Sequence, residues 1–366
     1  MPSALFTPLQ LRSLSIAHRG WVSPMCQYSC TPETGEGVPN DWHLMHLGSF
    51  AAGGAALILS EAAAVNASGR ISPRDAGLYS DEQAAGWERI VHFVHQHGAV
   101  DCKIGAQLAH AGRKASTYWP FSDRNGSVPA SDGGWVTFGP TQQPYDGYAA
   151  PEAMSEQDIR GVVADFAAAA ARAVAIGFDT VEIHGAHGYL LHQFQSPLIN
   201  TRTDRWGGTE NGRNRLMLAV VDAVREVIPD SMPLLLRISA TDWAEGGVDV
   251  DASVRLAKAA SERGVDLVDV SSGGAVAHQH IRPAPGYQAG FAEQLKRDAG
   301  VLTGAVGLLT SATQAEDIVA NGRADAVFMA RAALRDPHWW LRAAYELGHE
   351  MSWVPQYQRA IPRHGF

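Results

Sequence analysis

Eight short runs of β-branched and aliphatic residues recur along the chain, and a longer amphipathic stretch follows each of them. This alternation is typical of parallel strands joined by helices, because a parallel connection needs a crossover of about a dozen residues or more. The predicted strands are Trp21–Ser23, Ala56–Ser60, Lys103–Leu108, Thr180–His184, Leu234–Ile238, Leu267–Ser271, Leu302–Ala305 and Ala326–Ala330. The predicted helices are Trp42–Ala52, Glu82–His97, Glu156–Ile176, Arg213–Val227, Ala252–Arg263, Phe291–Ala299, Ala312–Ala320 and Pro337–Leu347.

Two α/β architectures fit this alternation, an open doubly wound sheet and a closed barrel. The open sheet places a glycine-rich turn after its first strand, whereas this chain reads Val-Ser-Pro-Met-Cys over Val22–Cys26. We therefore predict a single (β/α)8 TIM barrel domain over residues 1–366. An irregular region, about 113–151, follows the third strand and predicts a lid. The end of the chain, about 348–366, predicts a C-terminal tail.

The charge balance and the cysteine count narrow the class of protein. Lysine and arginine number 29 against 38 acidic residues, a formal net charge of −9, which disfavours nucleic acid and anionic membranes as partners. No apolar run reaches the length of a membrane span. Cys26, Cys30 and Cys102 are too few for a disulfide framework. We expect a cytoplasmic protein that binds neither nucleic acid nor membrane.

The last three predicted strands end in small residues and one arginine. Barrel enzymes build their sites at the C-terminal ends of strands, and this part of the barrel commonly binds phosphate. Small residues let backbone N–H groups approach an anion, and an arginine can pair with it. Ordinary turns and a structural ion pair are the alternative interpretation. The predicted phosphate-binding residues are Gly273, Gly274, Gly307, Ala330 and Arg331.

The other strand ends carry hydrogen-bond donors without a carboxylate. Two imidazoles, His184 and His187, can hold a carbonyl or nitro oxygen that gains negative charge, and Tyr189 can protonate a carbon of the same ligand. Gln107 and Arg237 match the pyrimidine edge of a flavin, where the arginine would stabilise negative charge.

Alternative interpretations of these residues remain open. His184, His187 and His192 could bind a metal in a barrel hydrolase, with Glu61 and Glu182 as the only acidic candidates. A flavin-binding barrel could also act as a sensor without turnover. Cys26 is either a buried structural thiol or a weak donor that tunes a flavin.

Five motifs resemble the Old Yellow Enzyme family, most closely its bacterial, thermophilic-like ene reductases. The resemblance extends from about Leu5 to Arg359. The motifs are Ser-Pro-Met-Cys-Gln-Tyr-Ser at 23–29, Glu-Ala-Ala-Ala-Val at 61–65 with Gly-Arg-Ile at 69–71, Gln-Leu-Ala-His-Ala-Gly-Arg-Lys-Ala at 107–115, His-Gly-Ala-His-Gly-Tyr-Leu at 184–190 and Arg-Thr-Asp-Arg-Trp-Gly-Gly at 202–208.

The resemblance implies non-covalently bound FMN, NADPH as reductant and an activated alkene as substrate. Hydride would pass from FMN to the β-carbon, Tyr189 would protonate the α-carbon, and His184 and His187 would hold the activating oxygen. Tyr28 and Ile71 would line the substrate pocket, and Arg359 would reach the site of a neighbouring subunit in a homodimer or homotetramer. The implied FMN contacts are Ser23, Pro24, Met25, Cys26, Ala62, Gln107, Arg237, Gly307, Ala330 and Arg331.

The chain departs from the family pattern at several places. His18-Arg19 stands for an asparagine–arginine pair, and Gly20 follows where a β-branched residue is usual, which weakens strand propensity at the first strand. Asn211-Gly212 changes a loop anchor, and Ala330 replaces a common glycine beside the phosphate. The tail continues as Ala360-Ile361 in place of the family's usual small-residue and tryptophan ending, a departure at the implied inter-subunit contact.

Overall fold

The structure, a computed structural model, describes residues 3–362. Eight parallel strands close into a barrel and follow one another around it in chain order. Two two-stranded sheets lie outside the barrel: β1 (Leu9–Leu11) with β2 (Leu14–Ile16), and β6 (Phe138–Gly139) with β7 (Glu152–Ala153). The barrel strands are β3 (Gly20–Val22), β4 (Leu57–Ala64), β5 (Lys103–Ala109), β8 (Thr180–Gly185), β9 (Leu234–Ser239), β10 (Leu267–Ser271), β11 (Thr303–Ala305) and β12 (Ala326–Met329).

Helices lie between successive barrel strands, which confirms the predicted (β/α)8 barrel. Capping boxes fix several helix starts; for example, the Ser155 side chain and Asp158 bond reciprocally. The helices are α1 (Asp41–Ala52), α2 (Asp81–His97), α3 (Glu156–Ala175), α4 (Leu190–Gln195), α5 (Glu210–Val227), α6 (Val250–Ser261), α7 (Ala289–Ala299), α8 (Ala312–Ala320), α9 (Arg331–Arg335) and α10 (Trp339–Glu346).

Every predicted strand and helix overlaps an observed one, but six short strands and α-helices of the described residues were not predicted. They are β1, β2, β6, β7, α4 and α9, each of six residues or fewer. Such short elements contain too few residues to show a hydrophobic period. Helix α5 begins at Glu210, before the predicted Arg213, because Thr209 accepts a hydrogen bond from the backbone N–H of Gly212.

The β1–β2 hairpin closes the N-terminal end of the barrel. Leu9, Leu11 and Ile16 pack in one cluster with Leu57 and Leu235, which lie at the starts of β4 and β9. This apolar plug leaves the C-terminal ends of the strands as the open mouth. The expected functional end of the barrel is therefore its accessible end.

Gly20 is accommodated by a tryptophan on the outside of the barrel. A Cβ at Gly20 would lie 3.4 Å from the indole of Trp340 in α10. The preceding His18 is buried, with its Nε2 atom 2.8 Å from the Gly54 carbonyl oxygen, and its own carbonyl accepts a hydrogen bond from Trp21 Nε1. The unusual His18-Arg19-Gly20 sequence thus forms a packed start of β3.

Residues 113–151 lie near the mouth and are tied to the barrel. Ser116 and Val128 share a backbone hydrogen bond, and the Trp135 indole donates to the Ser68 carbonyl while Arg70 lies over its ring. The aromatic ring of Phe121 contacts Tyr28, with 6.2 Å between ring centroids. Movement of this segment as a lid stays a prediction. Within residues 3–362, no helix has the length and apolar character that a membrane crossing requires.

Gly105 in β5 tests the packing of the barrel wall. A Cβ there would lie 2.6 Å from Leu59 Cδ2 and from Thr180 Cγ2, so Gly105→Ala must displace both neighbouring strands. We expect a loss of about 1–3 kcal/mol in the free energy of unfolding, seen as a lower Tm. The control is Gly161→Ala in α3, where a Cβ meets open space and should stabilise the helix by about 0.5–1 kcal/mol. Equal Tm changes in both variants would contradict this packing.

Candidate active site at the barrel mouth

The three residues predicted to do the chemistry lie together at the end of β8. The ring centroid of His184 is 5.1 Å from that of His187 and 5.2 Å from that of Tyr189. His187 has a positive φ of 59°, and its backbone N–H donates to Ser239 Oγ at 2.9 Å. Gly188 follows with a φ of 71°, and a Cβ there would collide with the Gly274 carbonyl. The loop therefore depends on close backbone packing.

Burial fixes the protonation states of this group. Burial and the nearby Arg237 guanidinium lower the pKa of both His184 and His187 well below the usual value, so both imidazoles are neutral near pH 7. Burial raises the pKa of Tyr189 well above its usual value, so the phenol keeps its proton. Among the described residues, the buried Nδ1 atom of His184 has no hydrogen-bond partner. His187 Nε2 lies 2.8 Å from Ser271 Oγ.

His192 does not join the other two histidines. Its side chain is fully buried, Nε2 lies 2.8 Å from Asp242 Oδ1, and Nδ1 accepts the Gly188 backbone N–H at 2.9 Å. Both ring nitrogens are therefore occupied in supporting the loop, and neither is available to a metal. Within residues 3–362, no three His, Cys, Asp or Glu side chains are grouped as a metal site would require.

Gln107 and Arg237 lie inside the mouth, each beside a buried carboxyl group. Gln107 Nε2 donates to Glu182 Oε1 at 2.7 Å, which leaves its second N–H and its carbonyl oxygen for a ligand. Arg237 Nε lies 3.0 Å from Asp269 Oδ2. All four side chains are buried. These residues form the Gln107–Glu182–Arg237–Asp269 cluster, of which the sequence interpretation identified only the glutamine and the arginine as ligand contacts.

The predicted phosphate corner is a cavity of about 180 Å³. Gly307, Ala330 and Arg331 line it together with Arg335, and no carboxylate is among its lining residues. Gly307 has a φ of 121°, which favours glycine. The cavity thus offers small residues and two guanidinium groups to an anion.

Gly273 and Gly274 lie elsewhere and are not among the residues that line this cavity. A Cβ on Gly274 would lie 2.5 Å from the carbonyl carbon of His187, and one on Gly273 would lie 2.7 Å from Gln279 Oε1. The two glycines pack against the histidine loop and the following segment. A direct contact between either glycine and the cofactor stays a prediction.

Glu61 anchors the loop that follows β3. This loop carries Ser23, Pro24, Met25, Cys26 and Tyr28. Tyr28 has a φ of 52°, so the loop holds a backbone conformation that costs free energy. The register between β4 and β5 shifts between Leu59 and Ala62, and the Glu61 side chain reaches the loop from this irregularity. Glu61 Oε2 accepts the Gln27 backbone N–H at 3.1 Å, and Oε1 lies 2.9 Å from His43 Nε2.

Cys26 and the substrate-side residues complete the mouth. Burial, with Asp75 and Glu61 nearby, raises the pKa of the Cys26 thiol, so it stays a neutral, weak donor. Ile71, Ala62 and Tyr189 line one small cavity with Asp75. Asp75 accepts the Ile71 backbone N–H at 2.8 Å and so fixes the position of that side chain.

Lys114 is a site residue that the sequence interpretation missed. Its Nζ donates to the carbonyl oxygens of His187 and Gly274 at 2.9 and 3.1 Å, and lies 5.3 Å from the centroid of the Tyr189 ring. Burial, with Arg113 nearby, lowers its pKa to about 8. The sequence contains one signal for this role, which is the position of Lys114 within the motif at 107–115.

Arg359 is the predicted site residue farthest along the chain. It lies in a short 3₁₀ helix, Pro355–Ala360, and its side chain is exposed. Contact with a neighbouring subunit therefore stays a prediction. The predicted tail extends to residue 366, and its last four residues lie outside the described range.

Comparisons with known proteins agree with this arrangement. The sequence model of the NADH:flavin oxidoreductase / NADH oxidase family matches residues 4–350. The chain belongs to this family. An NADPH dehydrogenase of Geobacillus sp. (strain WCH70) is 46% identical over 360 residues, which cover 98% of this chain and 99% of that protein. The resemblance to the Old Yellow Enzyme family is thereby confirmed.

Solved structures share the barrel. Morphinone reductase in complex with tetrahydroNAD superposes with a TM-score of 0.77 at 28% identity, over 97% of this chain and 94% of that chain. A 2-naphthoyl-CoA reductase superposes with a TM-score of 0.84 at 22% identity. This chain spans 52% of that reductase, and this likeness concerns the fold alone.

Family membership makes the protein an FMN-dependent oxidoreductase with NADPH as reductant. The residues present fit FMN on two observations. The anion-suited cavity beside Gly307 and Arg331 can take the phosphate. Gln107 in β5 keeps one N–H and its carbonyl oxygen for a ligand, and Arg237 in β9 adds a guanidinium, which are the donors and the acceptor that a flavin pyrimidine edge needs.

The variant Glu61→Gln tests whether Glu61 anchors the loop of residues 23–28, which carries the predicted FMN contacts. Asn40 N donates to His43 Nδ1, so His43 Nε2 carries the hydrogen and needs an acceptor, as does the Gln27 N–H. A glutamine offers one acceptor oxygen where Glu61 offers two. We expect FMN affinity to fall about tenfold or more, as for a lost hydrogen bond to a charged group, measured by quenching of FMN fluorescence. Unchanged affinity, with an exposed Glu152→Gln control also unchanged, would contradict the anchoring role.

Proposed function

We propose that the protein is an ene reductase that uses NADPH to reduce activated C=C bonds in enones, maleimides and nitro compounds. The observation that carries the proposal is the convergence of His184, His187 and Tyr189 at the mouth, next to Gln107 and Arg237. When bound, FMN supplies a hydride acceptor for NADPH and a hydride donor for the β-carbon of the alkene.

The two imidazoles serve as hydrogen-bond donors to the activating oxygen of the substrate. Both are neutral, and each can present one N–H. The unpartnered Nδ1 of His184 among the described residues supports this role, because it leaves the ring hydrogen-bonding capacity for a ligand. His187 can exchange its contact with Ser271 for the same oxygen. The hydrogen bonds strengthen as negative charge moves onto that oxygen, so they favour the transition state.

Tyr189 donates the proton to the α-carbon. Its phenol is protonated at neutral pH because burial raises its pKa, and it follows His184 and His187 in the same loop. Lys114, held by two backbone carbonyls, keeps the ring in place and supplies positive charge beside it. A phenolate that forms at Tyr189 is therefore stabilised by a neighbouring cation.

The geometry favours this proposal over the metal-dependent hydrolase, because both nitrogens of His192 are bound within the protein. A sensor without turnover would need no proton donor beside the paired imidazoles. The assembly as a homodimer or homotetramer, with Arg359 at a neighbour's site, is a proposal that rests on the family resemblance and the exposed tail. The location in the cytoplasm is a proposal that rests on the low cysteine count of the sequence.

Tyr189→Phe separates the two half-reactions. Loss of a general acid should slow reduction of 2-cyclohexenone by about 10²–10⁴-fold, while reduction of the flavin by NADPH should stay within about twofold. Anaerobic stopped-flow absorbance measures both steps on the same preparation. A parallel loss in both half-reactions would show that Tyr189 has a structural role and not a proton-donating one.

The paired imidazoles should act on the alkene step alone. His184→Ala and His187→Ala each remove a donor to the developing oxyanion, and each should lower the rate of enone reduction by about 10²-fold or more. The matched control is His92→Ala on the exposed face of α2, which should leave this rate unchanged. Dialysis against a chelator should also leave turnover unchanged; loss of activity that Zn²⁺ restores would support the hydrolase-type metal site instead.

A further inference from the structure

We propose that Glu182 is a redox-linked proton site beneath the flavin: in alkaline solution it takes up a proton when the flavin is reduced, and the reduction potential there depends more steeply on pH. The proposal rests on the placement of the flavin pyrimidine edge at Gln107 and Arg237. It concerns a residue to which neither the mechanism above nor the family resemblance gives a role.

The position of Glu182 in the barrel provides the geometry. Glu182 lies on β8 in register with Gln107 on β5, and its Oε1 accepts the Gln107 amide at 2.7 Å. The side chain is fully buried, and among the described residues Oε2 has no hydrogen-bond partner. A buried, unpartnered carboxylate oxygen is costly, and a proton on it removes most of the cost. One residue, Gln107, thus separates Glu182 from the flavin edge.

The charge balance of the cluster also indicates that Glu182 is the group that holds a proton. Asp269 on β10 lies in register with Arg237 on β9, and the two form an ion pair at 3.0 Å. That pair is neutral as a whole, so an ionised Glu182 would leave one uncompensated buried negative charge. The charged or titratable groups around Glu182 are Asp269, Arg237 and the neutral His184 two residues along β8.

The two carboxyl groups differ in their tendency to hold the proton. Burial, together with repulsion from Asp269, raises the pKa of Glu182 to about 8. Burial also raises the pKa of Asp269, to about 6, against the attraction of Arg237. Near pH 7 the proton therefore resides on Glu182, and the cluster carries no net charge.

Reduction of the flavin changes this balance. Two electrons add negative charge at the pyrimidine end, above Gln107 and Arg237, and this charge raises the pKa of Glu182 further. Below about pH 8 the group is protonated in both redox states and nothing is taken up. Above that pH, the Glu182 carboxylate present with oxidised flavin gains one proton from solvent on reduction and becomes a neutral carboxyl group.

The additional proton has a measurable signature. For a two-electron couple, a tenfold change in proton concentration is worth about 30 mV for each proton taken up. The flavin potential should therefore fall more steeply with pH above about 8, by about 30 mV per pH unit over the window between the two pKa values of Glu182. Below about pH 8 the slope should be the ordinary one.

The test is a potentiometric titration of the FMN-bound protein against redox dyes between pH 6 and 10. Glu182→Gln keeps the hydrogen bond with Gln107 but cannot ionise, so the additional slope should disappear. The matched control is Asp325→Asn. Asp325 is also buried, but it precedes β12 at the opposite end of the barrel, where its oxygens accept hydrogen bonds from Thr303 N and Lys296 Nζ. That variant should keep the additional slope.

Two results would overturn the proposal: an additional slope that survives in Glu182→Gln, or one that vanishes in Asp325→Asn alone. If Glu182→Gln fails to fold or to bind FMN, infrared difference spectra between the oxidised and reduced wild-type protein at pH 9 test whether a carboxyl group gains a proton. Reduction should then add a protonated-carboxyl C=O band, and the absence of that band would contradict the proposal. Neither measurement uses an alkene or Tyr189, so failure here leaves ene reduction untouched, and failure of ene reduction leaves this result intact.

Discussion

The closure of eight parallel strands into one barrel determines where every functional side chain lies. A parallel barrel brings all the C-terminal strand ends to one mouth, and the β1–β2 hairpin fills the other end with apolar side chains. Residues more than 300 positions apart in the sequence therefore meet at this end, where the Ser23 backbone N–H donates to the Met329 carbonyl oxygen at 3.0 Å. Disturbing the barrel wall would move the cofactor and substrate residues together.

Burial at this mouth produces the chemistry that the individual side chains could not provide in water. The same desolvation keeps two imidazoles neutral, a phenol protonated and one carboxyl group of a buried pair protonated. The permanent charge of Arg237 helps to keep the two imidazoles neutral, whereas it opposes protonation of Glu182, which burial and Asp269 favour. The site is thus a set of neutral donors around one guanidinium, which suits a ligand that gains negative charge during reaction.

The sequence predicted the barrel and the principal site residues because both leave local signals. Strand and helix periods repeat eight times, and His184, His187 and Tyr189 fall directly after a strand. The missed features depend on partners that are distant in the sequence: Lys114 with His187, Glu61 with Gln27 and His43, and Glu182 with Gln107. For Gly273 and Gly274, the sequence does not reveal which neighbours these turn glycines pack against, and their contact with the cofactor stays a prediction.

A crystal structure of the protein reconstituted with FMN tests most directly whether the barrel mouth holds the cofactor as proposed. We expect one FMN per chain, with its pyrimidine edge at Gln107 and Arg237, its phosphate in the cavity beside Gly307 and Arg331, and the faces of His184 and His187 open above the ring. A flavin bound elsewhere on the barrel, or a phosphate outside that cavity, would contradict this expectation.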